Sequence, residues 1–223
     1  MINFHPSDKI LENFAAANLS AGLALAVATH LDYCPLCRQT VQEYERAHAE
    51  SLLAEAPLVV DESFDNMLAD ILNTEPTNIN VNFSQQELKS SFIKLEQQKY
   101  VLPASLKPFY LKNSRWRKLS GVQTNKLGEY DDFRANLLYI EANTNVPMHT
   151  HKSLEITVVL AGTLCDEQGQ YYPGDFIVLD NNITHSPATK DGQSCLCLAV
   201  MDAPVQFTQG AARLLNPFAH LMY

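Results

Sequence analysis

The chain has 223 residues, a formal net charge of -9 and a pI near 5.2, enough length for one large domain or two modest ones. Two domains is the expectation. With 16 Lys and Arg against 25 Asp and Glu, the clustered basic surface needed to hold a phosphate backbone is missing, so direct nucleic-acid binding is disfavoured and a protein or small molecule is the expected partner.

In chain order, Ser7 and Asp8 open a first helix, the hydroxyl accepting from free amides and the carboxylate suiting the positive end of the dipole. Ile10, Leu11 and Phe14 form its apolar face. Ser20 can cap a second helix running through Leu23, Leu25 and Val27 to about Leu31. The small apolar run from Ala15 to Ala28 ends like a signal-peptidase site, but Asp8 and Glu12 precede it in place of basic residues, and Asn18 and Ser20 interrupt it. Nothing reaches transmembrane length, so a cytoplasmic protein without membrane contact is expected. Pro35 suits a first turn, and a third helix is predicted from about Cys34 to about Ala56, before Pro57. Phe64, Met67, Leu68, Ile71 and Leu72 follow the i, i+3, i+4, i+7, i+8 spacing of a fourth.

From Asn73 the composition turns to Asn, Thr and Pro, as in a linker, and Ser84 and Glu87 are spaced as a capping box for a short helix with Leu88, Phe92 and Leu95 on one side. Beyond Pro103 and Pro108 the period shifts to two. Trp116–Val122, Phe133–Ala142, Glu155–Ala161, Phe176–Leu179 and Cys195–Val200 read as strands separated by Gly, Asn and Asp turns. The expected fold is therefore α+β and multidomain: an all-α module over residues 1–73, a linker over 74–102, and an antiparallel all-β sandwich or barrel over 103–223, with a jelly roll among the candidates.

His30, Cys34 and Cys37 fall within eight residues, and His5 lies upstream of the first helix. His30 ends one helix while Cys34 and Cys37 open the next, so the turn between them can present three ligands to one zinc ion, with His5 as the fourth. Cys37 in a first turn gains thiolate character from the helix dipole. A metal there would staple short helices that have little core of their own. The competing reading of Cys34-Pro-Leu-Cys37 is a redox pair, but that motif follows a buried strand and the stretch here is helical. Five cysteines, two of them in this motif, fit a reduced compartment better than a disulfide framework.

The second constellation is more specific. His149 and His151 are two apart and share a strand face, Glu155 adjoins them, Gly162 follows, and Pro173-Gly174-Asp175 begins a strand with His185 beyond its far end. His-x-His-x3-Glu-x6-Gly, then Pro-Gly-Asp and a later His, resembles the cupin family, which implies a jelly-roll barrel with His149, His151, Glu155 and His185 as metal ligands. Two departures are Asn143, where the first motif usually has Gly, and Asp180-Asn-Asn182, where Pro-x-Gly is usual. Asn is the next most tolerant residue after Gly for a left-handed turn, so these changes need not break the fold. Three His and one Glu accept zinc, iron, manganese or nickel.

Together the two sites resemble the ChrR family of zinc-binding anti-sigma factors. Arg115-Trp116-Arg117, Cys195-Leu-Cys197, Asp202-Ala-Pro204 and Asn216-Pro217-Phe218 extend the match. The resemblance implies a transcriptional regulator without enzymatic activity. Its helical zinc module would hold an extracytoplasmic-function sigma factor, and its cupin would sense singlet oxygen or organic oxidants and trigger release. The fourth helix is the leading candidate for the partner face, the alternative being that it closes the module's own core. Cys195 and Cys197 are potential oxidation targets, though buried structural thiols are the simpler reading. The opposing class is a metal-dependent cupin enzyme, a dioxygenase or isomerase acting on a small organic substrate.

Overall fold

The computed structural model describes residues 2–54, 62–74, 92–110 and 115–221. Four helices come first: α1 (Asp8–Ala15), α2 (Ala21–Tyr33), α3 (Pro35–Ala54) and α4 (Glu62–Asn73). The Ser7 hydroxyl accepts from the Ile10 amide at the start of α1, as its position implies. Helix α2 is apolar around most of its circumference, and such a helix has to be buried. It buries Leu25, Ala26, Val27, Thr29 and His30, sandwiched between α1 and α3 on one side and the β-domain on the other. At Gly22 the helix comes so close to the sheet that a Cβ would sit 2.6 Å from that of Phe133.

The β-domain contains a hairpin, β1 (Phe92–Leu95) and β2 (Gln98–Val101), then β3 (Arg117–Leu119), β4 (Val122–Tyr130), β5 (Phe133–Ile140), β6 (His149–Thr150) and β7 (Glu155–Gly162). It continues with β8 (Leu164–Cys165), β9 (Gln170–Tyr171), β10 (Phe176–Leu179), β11 (Thr184–His185), β12 (Cys195–Met201) and β13 (Gln206–Phe207). A six-stranded antiparallel sheet has the order β10-β7-β12-β5-β4-β3, and a smaller sheet has the order β11-β6-β13. Helices first and antiparallel barrel second is the α+β arrangement expected. One apolar cluster joins Leu11, Leu25 and Val27 of the helices to Leu137, Val158, Leu198 and Val200 of the large sheet, so module and barrel share a core. The barrel interior has its own cluster, including Ile140, Val159, Leu164 and Tyr171.

Three readings change, the first at Ser20, which starts α2 without a side-chain capping hydrogen bond. The short helix predicted to end near Leu95 is replaced in its described half by β1, whose Ile93 and Leu95 are buried while Phe92 and Lys94 face out; Ser84, Glu87 and Leu88 lie outside the described residues. Phe92 and Leu95, three apart, fit a helical face as well as they fit a strand, and pairing with Gln98–Val101 decides between them. The strand expected over Trp116–Val122 is broken by a turn at Ser120 and Gly121, both with positive φ, and β4 runs on to Tyr130. The predicted tail of α3 beyond Ala54 is outside the described residues.

Asn143 does adopt the left-handed conformation its motif position requires, at φ 54°, and its Oδ1 accepts from the Gly192 amide. Gly162 is constrained differently: a Cβ there would lie 1.9 Å from the Ser194 carbonyl oxygen, closer than any side chain permits. That close approach explains the glycine seven residues beyond Glu155.

Candidate metal centres

The first centre forms where three segments meet. His5 comes from the amino-terminal segment before α1, His30 from the last turn of α2, Cys34 from the junction and Cys37 from the first turn of α3. His5 Nδ1 lies 3.5 Å from Cys34 Sγ and 3.3 Å from Cys37 Sγ. All four ligand atoms fall within 4.8 Å of one another. Zinc bonds of about 2.3 Å to sulfur and 2.0 Å to nitrogen in a tetrahedron place neighbouring N and S atoms about 3.5 Å apart, so the spacing suits a metal. His30 supplies an independent indication. Its Nδ1–H donates to the Gly174 carbonyl at 2.7 Å, which leaves Nε2 as a buried lone pair with no partner among the described residues. Burial holds the His30 imidazolium pKa down, favouring the neutral ligand form. Burial, together with the neighbouring Cys34 sulfur, pushes the Cys37 thiol up to about 12. A cation is what would convert such a thiol to thiolate.

His5 is placed by the barrel rather than by the helices. The Asn3 and Phe4 amides donate to Asp175 Oδ1 at 2.6 and 3.0 Å, and the Phe176 amide donates to the Phe4 carbonyl. Phe4 also packs on Tyr171, with ring centroids 5.0 Å apart. Asp175 is fully buried and takes a third bond from the Tyr172 amide.

The second centre lies inside the barrel. His149 on β6 faces His185 on β11 through direct strand pairing, His151 follows β6, and Glu155 opens β7. His185 Nε2 is 3.1 Å from His149 Nε2 and 3.2 Å from His151 Nε2, and His151 Nε2 is 2.8 Å from Glu155 Oε2. Nδ1–H of His149 donates to the Pro147 carbonyl, and Nδ1 of His185 meets Asp166 Oδ2 at 3.2 Å. With an Nδ1–H of each ring committed there, the Nε2 atoms of the two rings face each other. Facing lone pairs repel unless a cation lies between them, so the donor set fits a metal ion. Burial, reinforced by nearby His185, pushes His149 down to about 4, again the neutral form. Burial alone would raise Glu155, but His151 and the Thr157 hydroxyl, at 2.7 Å, bring it down to about 2.

All eight expected ligands thus gather into the two groups of four anticipated, and both groups are able to hold a metal. The supporting residues Asp166, Tyr171, Thr157 and Asp175 were not anticipated as site residues. Asp166 reads as an ordinary turn residue because it also is one: its Oδ1 accepts from Gln168 and Gly169 amides and from the Tyr171 hydroxyl. Cys195 and Cys197 are fully buried with sulfurs 3.5 Å apart. The hydrogen bond between them, and burial, push the Cys197 thiol well up.

Residues 110–204 match the family model described as the ChrR cupin-like domain. Over 221 residues the chain is 31% identical to the anti-sigma-E factor ChrR of Cereibacter sphaeroides, covering 97% of this chain and 98% of that protein. The crystal structure of Rhodobacter sphaeroides SigE in complex with the anti-sigma ChrR aligns with a TM-score of 0.69 at 28% identity, over 90% of this chain and all of the matched one. With an identity of that level running through both the helical module and the barrel, the chain belongs to the ChrR family of anti-sigma factors.

Proposed function

We propose that the chain is an anti-sigma factor whose helical module holds an extracytoplasmic-function sigma factor in the cytoplasm, with no direct contact to nucleic acid or membrane and no enzymatic activity. Among the described residues no helix is long and apolar enough to cross a membrane. One observation carries the reading. Every described side chain of α4 is exposed, including Phe64 at 47%, Met67 at 52%, Leu68 at 44%, Ile71 at 62% and Leu72 at 75%. Five large apolar groups on one helical stripe form a surface that water does not favour and a protein groove would. The alternative, that these residues close the module's own core, is not supported by that exposure.

In this reading His5, His30, Cys34 and Cys37 hold a structural zinc, the metal that two thiolates and two imidazoles favour. His149, His151, Glu155 and His185 hold zinc or another divalent metal such as iron, manganese or nickel, and the cupin senses an oxidant such as singlet oxygen. A contact route supports communication between the two centres. Asp166 bonds both His185 and Tyr171, Tyr171 packs on Phe4 beside His5, and the next turn offers the Gly174 carbonyl to His30. A change in how His185 is held would move the turn that positions two ligands of the first centre and the shared core beneath α2.

The test is co-expression with an extracytoplasmic-function sigma factor. A one-to-one complex that dissociates on oxidant treatment is expected; a chain that stays free, or one that turns over a panel of diketones, thiols and flavonols, overturns the reading in favour of a cupin enzyme. If His149→Ala with Glu155→Ala leaves oxidant-triggered release intact, the cupin metal is not the sensor.

A further inference from the structure

The four ligands of the barrel centre, His149, His151, Glu155 and His185, are all buried. An ion reaches them only when part of the wall moves, and the most weakly held part sets the route. In the small sheet β6 lies between two short strands, β11 and β13. The first is tied down beyond its pairing. Next to it the Ser186 hydroxyl donates to the Val146 carbonyl at 2.7 Å, the Val146 amide to the Pro187 carbonyl at 2.8 Å, and the Ser186 amide to Glu167. On the opposite edge β13 is only Gln206 and Phe207.

Phe207 stands over His149. The two residues pair across β13 and β6, their ring centroids are 6.1 Å apart, and Phe207 is buried, lining the inside of the barrel beside His149 and His185. The Thr208 amide donates to the Met148 carbonyl at 3.0 Å. That bond flanks a pair of the non-hydrogen-bonded kind, in which side chains are closest and the residue's own amide and carbonyl point away from the partner strand. For Phe207 that direction is outward, where the sheet has no further strand.

Asn216 takes the missing strand's place. Its Oδ1 accepts from the Phe207 amide at 2.8 Å, and its Nδ2 donates to the Phe207 carbonyl at 3.0 Å. A primary amide carries the same donor and acceptor as a peptide group, so one side chain satisfies both outward groups.

We propose that Asn216 is a latch that holds β13 against β6, so that Phe207 covers His149 and the barrel centre exchanges its metal through the opening of β13. The proposal rests on the reading of His149, His151, Glu155 and His185 as metal ligands. Asn216 acts through Phe207 and is a positioning residue. Removing it leaves the Phe207 amide and carbonyl without partners and shifts the balance toward the open strand. The ligands themselves are unaltered, so uptake and release should quicken together while equilibrium affinity holds.

The experiment uses the full chain loaded with cobalt(II), whose thiolate charge-transfer absorption distinguishes the Cys34 and Cys37 centre from the barrel centre. In Asn216→Ala, release of barrel cobalt to a chelator is expected to be about tenfold faster, with uptake faster by a similar factor. Release from the first centre should not change. Phe207→Ala removes the cover and should release quickly by itself, so adding Asn216→Ala to it should have no further effect. Hydrogen exchange on the zinc-loaded wild-type chain needs no variant to fold: the Phe207 amide should be protected, and an amide exchanging as freely as one in an open loop overturns the latch. Unchanged barrel release in Asn216→Ala, equal acceleration at both centres, weakened affinity in place of faster exchange, or additive effects of the two substitutions would each overturn it as well. Uptake of a single cobalt overturns the metal reading and the latch with it, whereas two cobalts with unaltered release overturn the latch alone.

Discussion

The Nδ1–H of His30 donates to the carbonyl oxygen of Gly174 across 2.7 Å, joining a ligand of the helical centre to a turn of the barrel 144 residues away. The bond sets which imidazole nitrogen is free for metal. It also makes the Pro173-Gly174-Asp175 turn part of both domains, since Asp175 holds the amino-terminal segment that carries His5.

Gly174 tests that junction. Its φ is +95°, and a Cβ there would lie 2.6 Å from Ile2 Cδ1 and 2.9 Å from the Tyr33 Cβ. Gly174→Ala is expected to lower unfolding free energy by roughly 2–4 kcal/mol, through backbone strain and displacement of the amino terminus. Gly192→Ala is the control, because Gly192 also has positive φ, +71°, but open space around it. Its loss should be only about 1 kcal/mol. Denaturant titration of both variants measures the difference, and equal losses would mean that the junction is not tight.

Asp175 carries the second half of the junction. Asp175→Ala leaves the Asn3, Phe4 and Tyr172 amides without their shared acceptor. Bonds to a charged acceptor contribute about 1.5–3 kcal/mol each, and two of the three lost hold the amino-terminal segment. The expected result is faster proteolysis at residues 2–6 and faster loss of metal from the Cys34 and Cys37 centre to a chelator. The barrel centre should keep its metal. Loss at both centres together would indicate global unfolding instead.

Much of this arrangement was legible in the chain, and the parts that were not share a cause. Helix faces, strand runs and the spacing of His, Cys and Glu side chains are local patterns, so α1, α2, α4 and the two groups of four that could hold a metal were readable directly. Asp175 gave only the signal of a strand start, because its partners lie 172 and 171 residues away. The β1–β2 hairpin was hidden because its turn uses Glu96 at φ 52°, a residue that does not advertise a left-handed turn as Gly or Asn does. Strand β4 was missed beyond Val122 since its half-buried run Gln-Thr-Asn-Lys shows no apolar alternation.

Asp166 is expected to control metal retention in the barrel. Its carboxylate fixes the His185 tautomer by accepting a hydrogen bond from Nδ1–H, so Nε2 faces the other ligands. Asp166→Asn keeps the size and loses the charged acceptor. Partners of this kind typically contribute 10- to 100-fold in metal affinity, so a loss of about that size is expected in chelator competition. Thr157→Val, which removes the hydroxyl on Glu155, should act in the same direction. Unchanged affinity in both would show that the ligands orient themselves.

Metal content gives a direct count. The full chain is expected to carry close to two metal ions, and Cys34→Ser with Cys37→Ser to lose one of them. Structural zinc contributes folding free energy, about 10–16 kcal/mol in isolated zinc-finger peptides, but here α2 shares its core with the large sheet. The barrel should therefore survive the substitution, with helical content falling and the second metal retained. Retention of both metals by elemental analysis would exclude the first centre.

The exposed stripe of α4 offers the sharpest separation of fold from function. Met67 and Ile71 are four apart, on one face, and 52% and 62% exposed. Substituting exposed groups that pack against nothing changes stability within about 0.5 kcal/mol. Met67→Glu with Ile71→Glu should accordingly leave the unfolding midpoint and both metals unaltered. A sigma factor seated on the stripe would instead have to bury two carboxylates where it had two apolar anchors. Truncating central interface residues costs about 2 kcal/mol or more each, so at least a hundredfold weaker complex is expected in titration against the purified sigma factor. Asp65→Asn, on the same helix, is the control and should change affinity little. Full affinity in the double variant would move the partner surface away from α4, and a lower unfolding midpoint would mean that the stripe packs within the chain after all.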